Sequence, residues 1–102
     1  MLPIIEHHRA EVANLCRPLG VRRLDVFGSA AVGNFDAAKS DLDFFVEFDD
    51  LEPVAYAEAW LALHEQLEAL FGRPVDLVTL AAVRNPYFRE HALAIRETVY
   101  AA

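Results

Sequence analysis

Apolar residues recur at helical spacing in three segments of the chain, and three other segments alternate apolar and polar positions. Helical spacing places apolar side chains along one face of a helix, whereas alternation places them on one face of a strand. Each helical segment begins near a proline, and the first two are followed by a glycine, as is typical of helix ends. The predicted helices extend from Pro3 to about Leu19, from Pro53 to Phe71, and from Pro86 through Val99.

The alternating segments predict strands over Val21–Phe27, Asp41–Phe48 and Val75–Val78. Between the first two strands, we expect a short helical turn over Ser29–Val32 and a loop over Gly33–Lys39. The order of helices and strands favours an α/β (α+β) fold, in which a small mixed β-sheet packs against flanking helices. One stripe of the third helix is expected to be buried, and it consists of Phe88, Ala92, Ile95 and Val99.

Composition narrows the class of partner. The chain has 102 residues, of which 55% are hydrophobic, so a single domain over residues 1–102 is expected. Nine basic residues against sixteen acidic ones give a formal net charge of −7. Binding to nucleic acid depends on neutralising its phosphates, so no direct nucleic-acid binding is expected. An acidic chain suits a basic partner protein, or a metal–nucleotide complex that carries its own cations.

The same composition bears on the compartment. The single cysteine, Cys16, excludes an internal disulfide and is typical of a reducing environment. No apolar run approaches the ~20 residues that a membrane-spanning helix needs. The first residues, Met1 to Glu6, lack the charged start and long apolar core of a signal peptide. These features predict a cytoplasmic protein that does not enter a membrane.

Two aspartates open the second strand one residue apart. Because side chains alternate across a strand, Asp41 and Asp43 should point to one face, and Leu42 and Phe44 to the other. Two carboxylates side by side repel each other unless a positive group lies between them. Mg²⁺ is typically held by one or two protein carboxylates together with phosphate oxygens of a nucleotide. The pair therefore indicates a magnesium site, although two solvated aspartates would show the same pattern.

The residues before this strand add context. Gly28-Ser29 closes the first strand, Gly33 follows, and Ser40-Asp41-Leu42-Asp43 opens the second, while Asp76 lies in the third. This pattern resembles the minimal nucleotidyltransferase (MNT) family of the polymerase β-like superfamily, and the resemblance extends from about Val21 to Val78. It implies a nucleotidyltransferase-like fold, ATP as a substrate and two Mg²⁺ ions. Many members of that family are antitoxins paired with a HEPN-domain toxin, and some adenylylate that toxin.

Nucleotidyl transfer assigns a role to each matching residue. The reaction is an in-line attack on the α-phosphorus of a nucleoside triphosphate, and it is catalysed mainly by positioning and by neutralising phosphoryl charge. Asp41 and Asp43 are the expected bridging metal ligands, and Asp76 would complete the second metal site and assist deprotonation of the attacking hydroxyl. Gly28 and Ser29 would bind the triphosphate through backbone amides and a hydroxyl. For Ser40, a phosphate contact and a cap on the loop backbone both remain open.

The chain departs from the family at one point. The segment after Gly-Ser often carries a basic residue, where this chain has Ala30, Ala31 and Val32. A missing arginine removes a charge-assisted hydrogen bond to phosphate. Four basic residues are candidates for compensating this loss, and the sequence does not show whether any of them reaches the site. They are Lys39, Arg22, Arg23 and Arg73.

Three functions follow from these patterns. The first is an antitoxin that transfers AMP from ATP to a hydroxyl group on a HEPN toxin, which the resemblance and the small size of the chain favour. The second is an antitoxin that neutralises its toxin by binding alone. The third is a nucleotidyltransferase acting on RNA or a small molecule. The acidic charge counts against RNA as the substrate, and the three aspartates count against binding alone.

Other polar and aromatic residues are expected to serve the structure. His7, His8, His64 and His91 show no metal-ligand spacing, so they are expected to be packing or surface side chains. Trp60 and the phenylalanines of the second strand are expected in the core rather than as stacking platforms for bases.

Overall fold

The computed structural model describes residues 2–28, 41–79 and 82–102. The predicted turn over Ser29–Val32, the predicted loop over Gly33–Lys39, and Ser40 therefore lie outside the described residues. The described ranges contain helices α1 to α4 and strands β1 to β4. The elements are α1 (Pro3–His7), α2 (Arg9–Cys16), a 3₁₀ turn (Arg17–Leu19), β1 (Val21–Phe27), β2 (Leu42–Phe48), α3 (Pro53–Phe71), β3 (Val75–Val78), α4 (Pro86–Ile95) and β4 (Glu97–Ala101).

The strands form a mixed four-stranded sheet in the order β3-β2-β1-β4. Strand β1 runs antiparallel to both β2 and β4, and β2 pairs in parallel with β3. The long helix α3 connects the two parallel strands, as a parallel pair requires. This confirms the expected small mixed sheet with flanking helices.

The two faces of the sheet pack against different helices. One face and helices α1 to α3 enclose the main core, in which Phe44 and Leu63 are fully buried. On the opposite face, Phe27 and Phe45 pack against Ala92 of α4 in a second, smaller cluster. Burying a side chain such as Phe or Leu contributes about 1.5–3 kcal/mol, so the larger cluster provides most of the apolar stabilisation. The smaller cluster holds α4 over the face that carries the acidic residues.

Two sequence predictions about the helices are wrong. The first predicted helix is broken at His8, whose backbone is not helical, into α1 and α2 followed by the 3₁₀ turn. The last predicted helix ends at Ile95 rather than Val99, because Arg96 adopts an extended conformation (φ −67°, ψ 148°). Residues Glu97–Ala101 then add β4 to the edge of the sheet beside β1. Val99 is buried as predicted, but from a strand.

Candidate active site

Asp43 and Asp76 face each other across the parallel strands β2 and β3. The two residues are direct partners in the ladder, and neighbouring strands lie about 4.8 Å apart. The flanking residues Leu42, Phe44 and Leu77 belong to the main core, so alternation places both aspartates on the opposite face of the sheet. Two carboxylates are therefore held side by side on a rigid backbone.

The third predicted carboxylate lies beside this pair. Asp41 directly precedes β2 and is exposed, and Asp76 is exposed as well, whereas Asp43 is half-buried. Burial, and after it the negative charges of Asp76 and Asp41, together raise the pKa of Asp43 from 3.8 to about 6. All three aspartates thus interact electrostatically, with Asp43 at the centre.

The donor set at this position fits a cation that arrives with a nucleotide. Within the described ranges, no cluster of three or more His, Cys, Asp or Glu side chains has the geometry of a complete metal site. Asp43 and Asp76 nevertheless supply two carboxylates, which is the number that Mg²⁺ commonly takes from a protein when phosphate oxygens complete its shell. A cation between them would also relieve the repulsion that raises the pKa of Asp43.

Gly28 brings backbone against the same carboxylate. It follows β1, whose last residue Phe27 pairs with Asp43 in the antiparallel ladder. Its φ of +69° lies in the left-handed region, and a Cβ added there would lie 2.6 Å from Oδ2 of Asp43. The conformation therefore favours glycine, and any larger residue would displace the Asp43 carboxylate. The neighbouring Ser29 lies outside the described residues, as does Ser40.

Two of the four candidate basic residues form ion pairs at a distance from Gly28 and Asp43. Arg22 lies near the exposed acids Glu47 and Asp49, with N–O distances of 3.4 Å to each. Arg23 donates from Nε to Asp25 at 2.9 Å. Strand geometry places the Cα of Arg23 roughly 13 Å from that of Phe27, so neither arginine supplies the missing phosphate contact.

Lys39 and Arg73 remain candidates for the missing basic contact to phosphate. Lys39 lies outside the described residues. Arg73 is half-buried and lies two residues before β3, where the Leu42 N–H donates to the carbonyl of Pro74. It therefore flanks the start of β2, close in the sheet to Asp41.

The sequence interpretation missed a charged residue on the same face. Asp25 is only 2% exposed and accepts from Arg23, while Arg96 Nη1 lies 3.3 Å from its other oxygen. Arg23 Nη2 also donates to the Thr98 hydroxyl on β4. The alternation in β1 could have placed Asp25 opposite Leu24 and Val26, but nothing local pointed to Arg96.

The remaining polar residues behave largely as predicted. His8 pairs its Nδ1 with the carbonyl of Ile4 and contacts the ring of Phe71, and His64 is stacked on Trp60, so both are packing residues. Burial raises the pKa of the Cys16 thiol to about 12, which makes it a poor nucleophile. In the part of the chain that the structure describes, no helix has the length and apolar character needed to cross a membrane.

Comparison with known proteins agrees with this geometry. Residues 10–98 match the family described as the nucleotidyltransferase domain. The chain is 39% identical over 70 residues to a protein from Methanocaldococcus jannaschii that is provisionally named a protein adenylyltransferase, covering 69% of this chain and 68% of the relative. It is 33% identical over 97 residues to protein adenylyltransferase MntA from Thermococcus cleftensis, covering 95% of this chain and 88% of that protein.

Solved structures share the fold. One, provisionally assigned as a minimal nucleotidyltransferase, superposes with a TM-score of 0.67 at 34% identity and covers 91% of this chain and 90% of its own. Another is a complex of a tri-AMPylated HEPN toxin from Shewanella oneidensis with its MNT antitoxin, at a TM-score of 0.63 and 18% identity, covering 96% of this chain and 73% of that one. At that identity the second likeness is one of fold.

Proposed function

Because the chain belongs to the nucleotidyltransferase domain family, we propose that it is an antitoxin that transfers AMP from ATP to a hydroxyl group on a HEPN-type toxin. The observation that carries the proposal is the register of β2 and β3, which holds Asp43 opposite Asp76 beside the backbone of Gly28. The names of the relatives, protein adenylyltransferase in both cases, support the reaction class.

The proposed reaction is a single displacement. The oxygen of the acceptor hydroxyl attacks the α-phosphorus of ATP, a new oxygen–phosphorus bond forms, and the bond from the α-phosphorus to the bridging oxygen breaks, releasing pyrophosphate. Asp76 is proposed to take the proton of the acceptor hydroxyl, and its exposed position on the edge strand β3 supports this role. Gly28 allows the backbone to approach the phosphates closely.

Asp41, Asp43 and Asp76 would hold Mg²⁺ in this proposal, with one or two ions present. The chemistry that Mg²⁺ supplies at such a site is neutralisation of charge on the phosphoryl oxygens. Asp43 and Asp76 would supply ligands from two paired strands, and Asp41 from the residue preceding β2. Ser29 and Ser40 remain proposed phosphate contacts on sequence grounds alone.

The partner is proposed from three observations. Relatives of this fold include an MNT antitoxin bound to an AMPylated HEPN toxin. The chain carries a net charge of −7, which favours a basic surface on the protein that it modifies. The acidic face of the sheet lies at the edge strand β3, where a separate chain can present a hydroxyl side chain.

Transfer of label tests the proposal directly. The chain is incubated with a HEPN-type toxin from the same genome, Mg²⁺ and ATP labelled at the α-phosphate. We expect label on the toxin with the wild type and with Asp50→Asn, an exposed acid next to the end of β2, and none with Asp43→Asn or Asp76→Asn. If the wild type leaves the toxin unlabelled but still suppresses its toxicity in cells, neutralisation is by binding and the catalytic proposal is wrong.

A further inference from the structure

Phe88 is an exposed aromatic side chain that contacts the ladder partner of Asp43. Phe88 was expected on the buried face of its helix, yet it is 49% exposed in the first turn of α4. Its backbone is held by a cap, because the side-chain oxygen of Asn85 accepts from the N–H groups of both Tyr87 and Phe88. Phe88 therefore lies in a capped first turn rather than on a frayed helix end.

Ring contacts connect Phe88 to the catalytic strands. Its centroid lies 6.2 Å from that of Phe27 in a near-perpendicular arrangement of 80°. Phe27 in turn is stacked on Phe45 at 4.1 Å, and both of these rings are buried. Phe27 is also the direct ladder partner of Asp43. Phe88 thus lies one ring beyond the residue that pairs with the central carboxylate, and it is the ring of this cluster that remains accessible.

A flat apolar partner suits this arrangement. Phe88 remains 49% exposed beside its perpendicular contact with Phe27, and aromatic pairs in offset or perpendicular geometry are favourable. Nucleic-acid bases stack on such rings with little dependence on the identity of the base, since each base has a π-face.

We propose that Phe88 is the stacking platform for the base of the nucleoside triphosphate whose phosphates lie at Asp43 and Asp76. This inference rests on the proposed function, since it needs a nucleotide at the aspartates, and it adds the residue that recognises the base. The buried rings of Phe27 and Phe45 position the platform, and α4 holds it over the face of the sheet that carries the carboxylates. Stacking of this kind distinguishes a nucleotide from a bare polyphosphate.

The test compares two ligands that share phosphates and differ in the base. Dissociation constants for ATP and for inorganic tripolyphosphate, both with Mg²⁺, are measured by calorimetry on the full chain. Phe88→Ala should weaken ATP binding by roughly 5- to 100-fold and leave tripolyphosphate binding unchanged. Phe88→Leu, which keeps apolar bulk against Phe27, should show the same selective loss, and Phe88→Trp should retain ATP binding. Tyr87→Ala is the matched control, because Tyr87 is 83% exposed on the adjacent position of the same helix.

The outcomes separate this inference from the function on which it rests. Tight ATP binding by the wild type with an unchanged constant in Phe88→Ala and Phe88→Leu would overturn the stacking role alone. Equal losses for ATP and tripolyphosphate would also overturn it, because the effect would then come from a disturbed fold. A wild type that binds neither ligand would overturn the nucleotidyl-transfer proposal and the stacking role together.

Discussion

Gly28 lies so close to Asp43 that a Cβ on the glycine would be 2.6 Å from the Oδ2 atom of the carboxylate. That distance is shorter than any relaxed contact between a carbon and an oxygen atom. Since Oδ2 is the end of a side chain, an added methyl group would be accommodated by rotation of the carboxylate. The backbone of Gly28 thus fixes where the central acid of the site points.

We expect Gly28→Ala to abolish most AMP transfer while leaving the protein folded. The substitution introduces backbone strain of about 1–2 kcal/mol at φ +69° and displaces the Asp43 carboxylate from its position in the site. Gly72→Ala is the matched control, because Gly72 has a similar φ of +64° but no atom lies within 4 Å of the added Cβ. The control should lose comparable stability and keep its activity. Equal losses of activity in the two variants would show that strain, not displacement of Asp43, is responsible.

Asp43 should make the metal-free protein less stable as pH rises. In the unfolded chain this carboxyl ionises near 3.8, whereas in the fold it keeps its proton to about 6. Between these values the unfolded state releases its proton first, so the free energy of unfolding falls with increasing pH, and the loss is complete above about 6. We expect roughly 1 kcal/mol, less than the full shift would give, because Asp43 is only half-buried.

Urea unfolding in the presence of a chelator, at about pH 4 and about pH 7, measures this effect. Other carboxylates also titrate in this range, so the comparison is with Asp43→Asn, which removes the contribution of this group alone. As pH rises, the free energy of unfolding of the wild type should fall relative to that of Asp43→Asn. A constant difference across the range would mean that burial and the neighbouring acids do not raise the pKa of Asp43.

Local pattern was sufficient for much of the fold. Alternation in β2 predicted that Asp43 would avoid the core, whereas Asp76 was identified through the family resemblance, and the sheet brings the two residues opposite each other. The extra strand β4 could not be predicted from periodicity, because Ala92, Ile95 and Val99 continue the helical spacing across the break at Arg96. That break is set by pairing with β1, which is a tertiary interaction.

The exposure of Phe88 could not be predicted from helical periodicity either. Helical spacing groups it with Ala92, and Ala92 is indeed buried against Phe27 and Phe45. Periodicity gives the direction of a helix face but not how much of that face other elements cover, and Phe88 in the first turn of α4 stays 49% exposed. Whether a stripe residue at a helix end is buried therefore depends on tertiary packing.

The outer edge of β3 is blocked by side chains of α3. Trp60 Nε1 donates to the carbonyl of Leu77, His64 Nε2 pairs with the carbonyl of Val75, and Glu68 accepts from the Val75 N–H at 2.9 Å. These residues are four apart on one face of the helix, so they run along the strand. An edge strand with unpaired backbone groups invites pairing with another chain, and these contacts occupy those groups.

We expect Glu68→Ala to lower the free energy of unfolding by about 1–3 kcal/mol, because the partly buried Val75 N–H loses its acceptor. Glu65→Ala, an exposed acid one turn away on the same helix, should change stability by no more than about 0.5 kcal/mol. Denaturant unfolding of both variants provides the measurement. Light scattering should in addition show more self-association for Glu68→Ala, and similar stabilities for the two variants would refute the role of this contact.

Asp25 on β1 forms ion pairs with two arginines. It is 2% exposed, and its partners Arg23 and Arg96 come from β1 and from the residue between α4 and β4. Removing one member of a buried ion pair leaves uncompensated charge, which costs 3–5 kcal/mol in well-buried cases. Because both arginines remain partly exposed and can be hydrated, we expect about 3 kcal/mol for Asp25→Ala.

The matched control for Asp25 is Asp49→Ala, which breaks the exposed pair with Arg22 and should cost less than about 1 kcal/mol. Hydrogen exchange gives a second readout, since loss of Asp25 should release Arg96 and speed exchange of the α4 amides more than those of α3. Because α4 carries Phe88, the same variant should weaken ATP binding more than tripolyphosphate binding. If the two variants lose similar stability, or if exchange in α4 is unchanged, Asp25 does not anchor that helix.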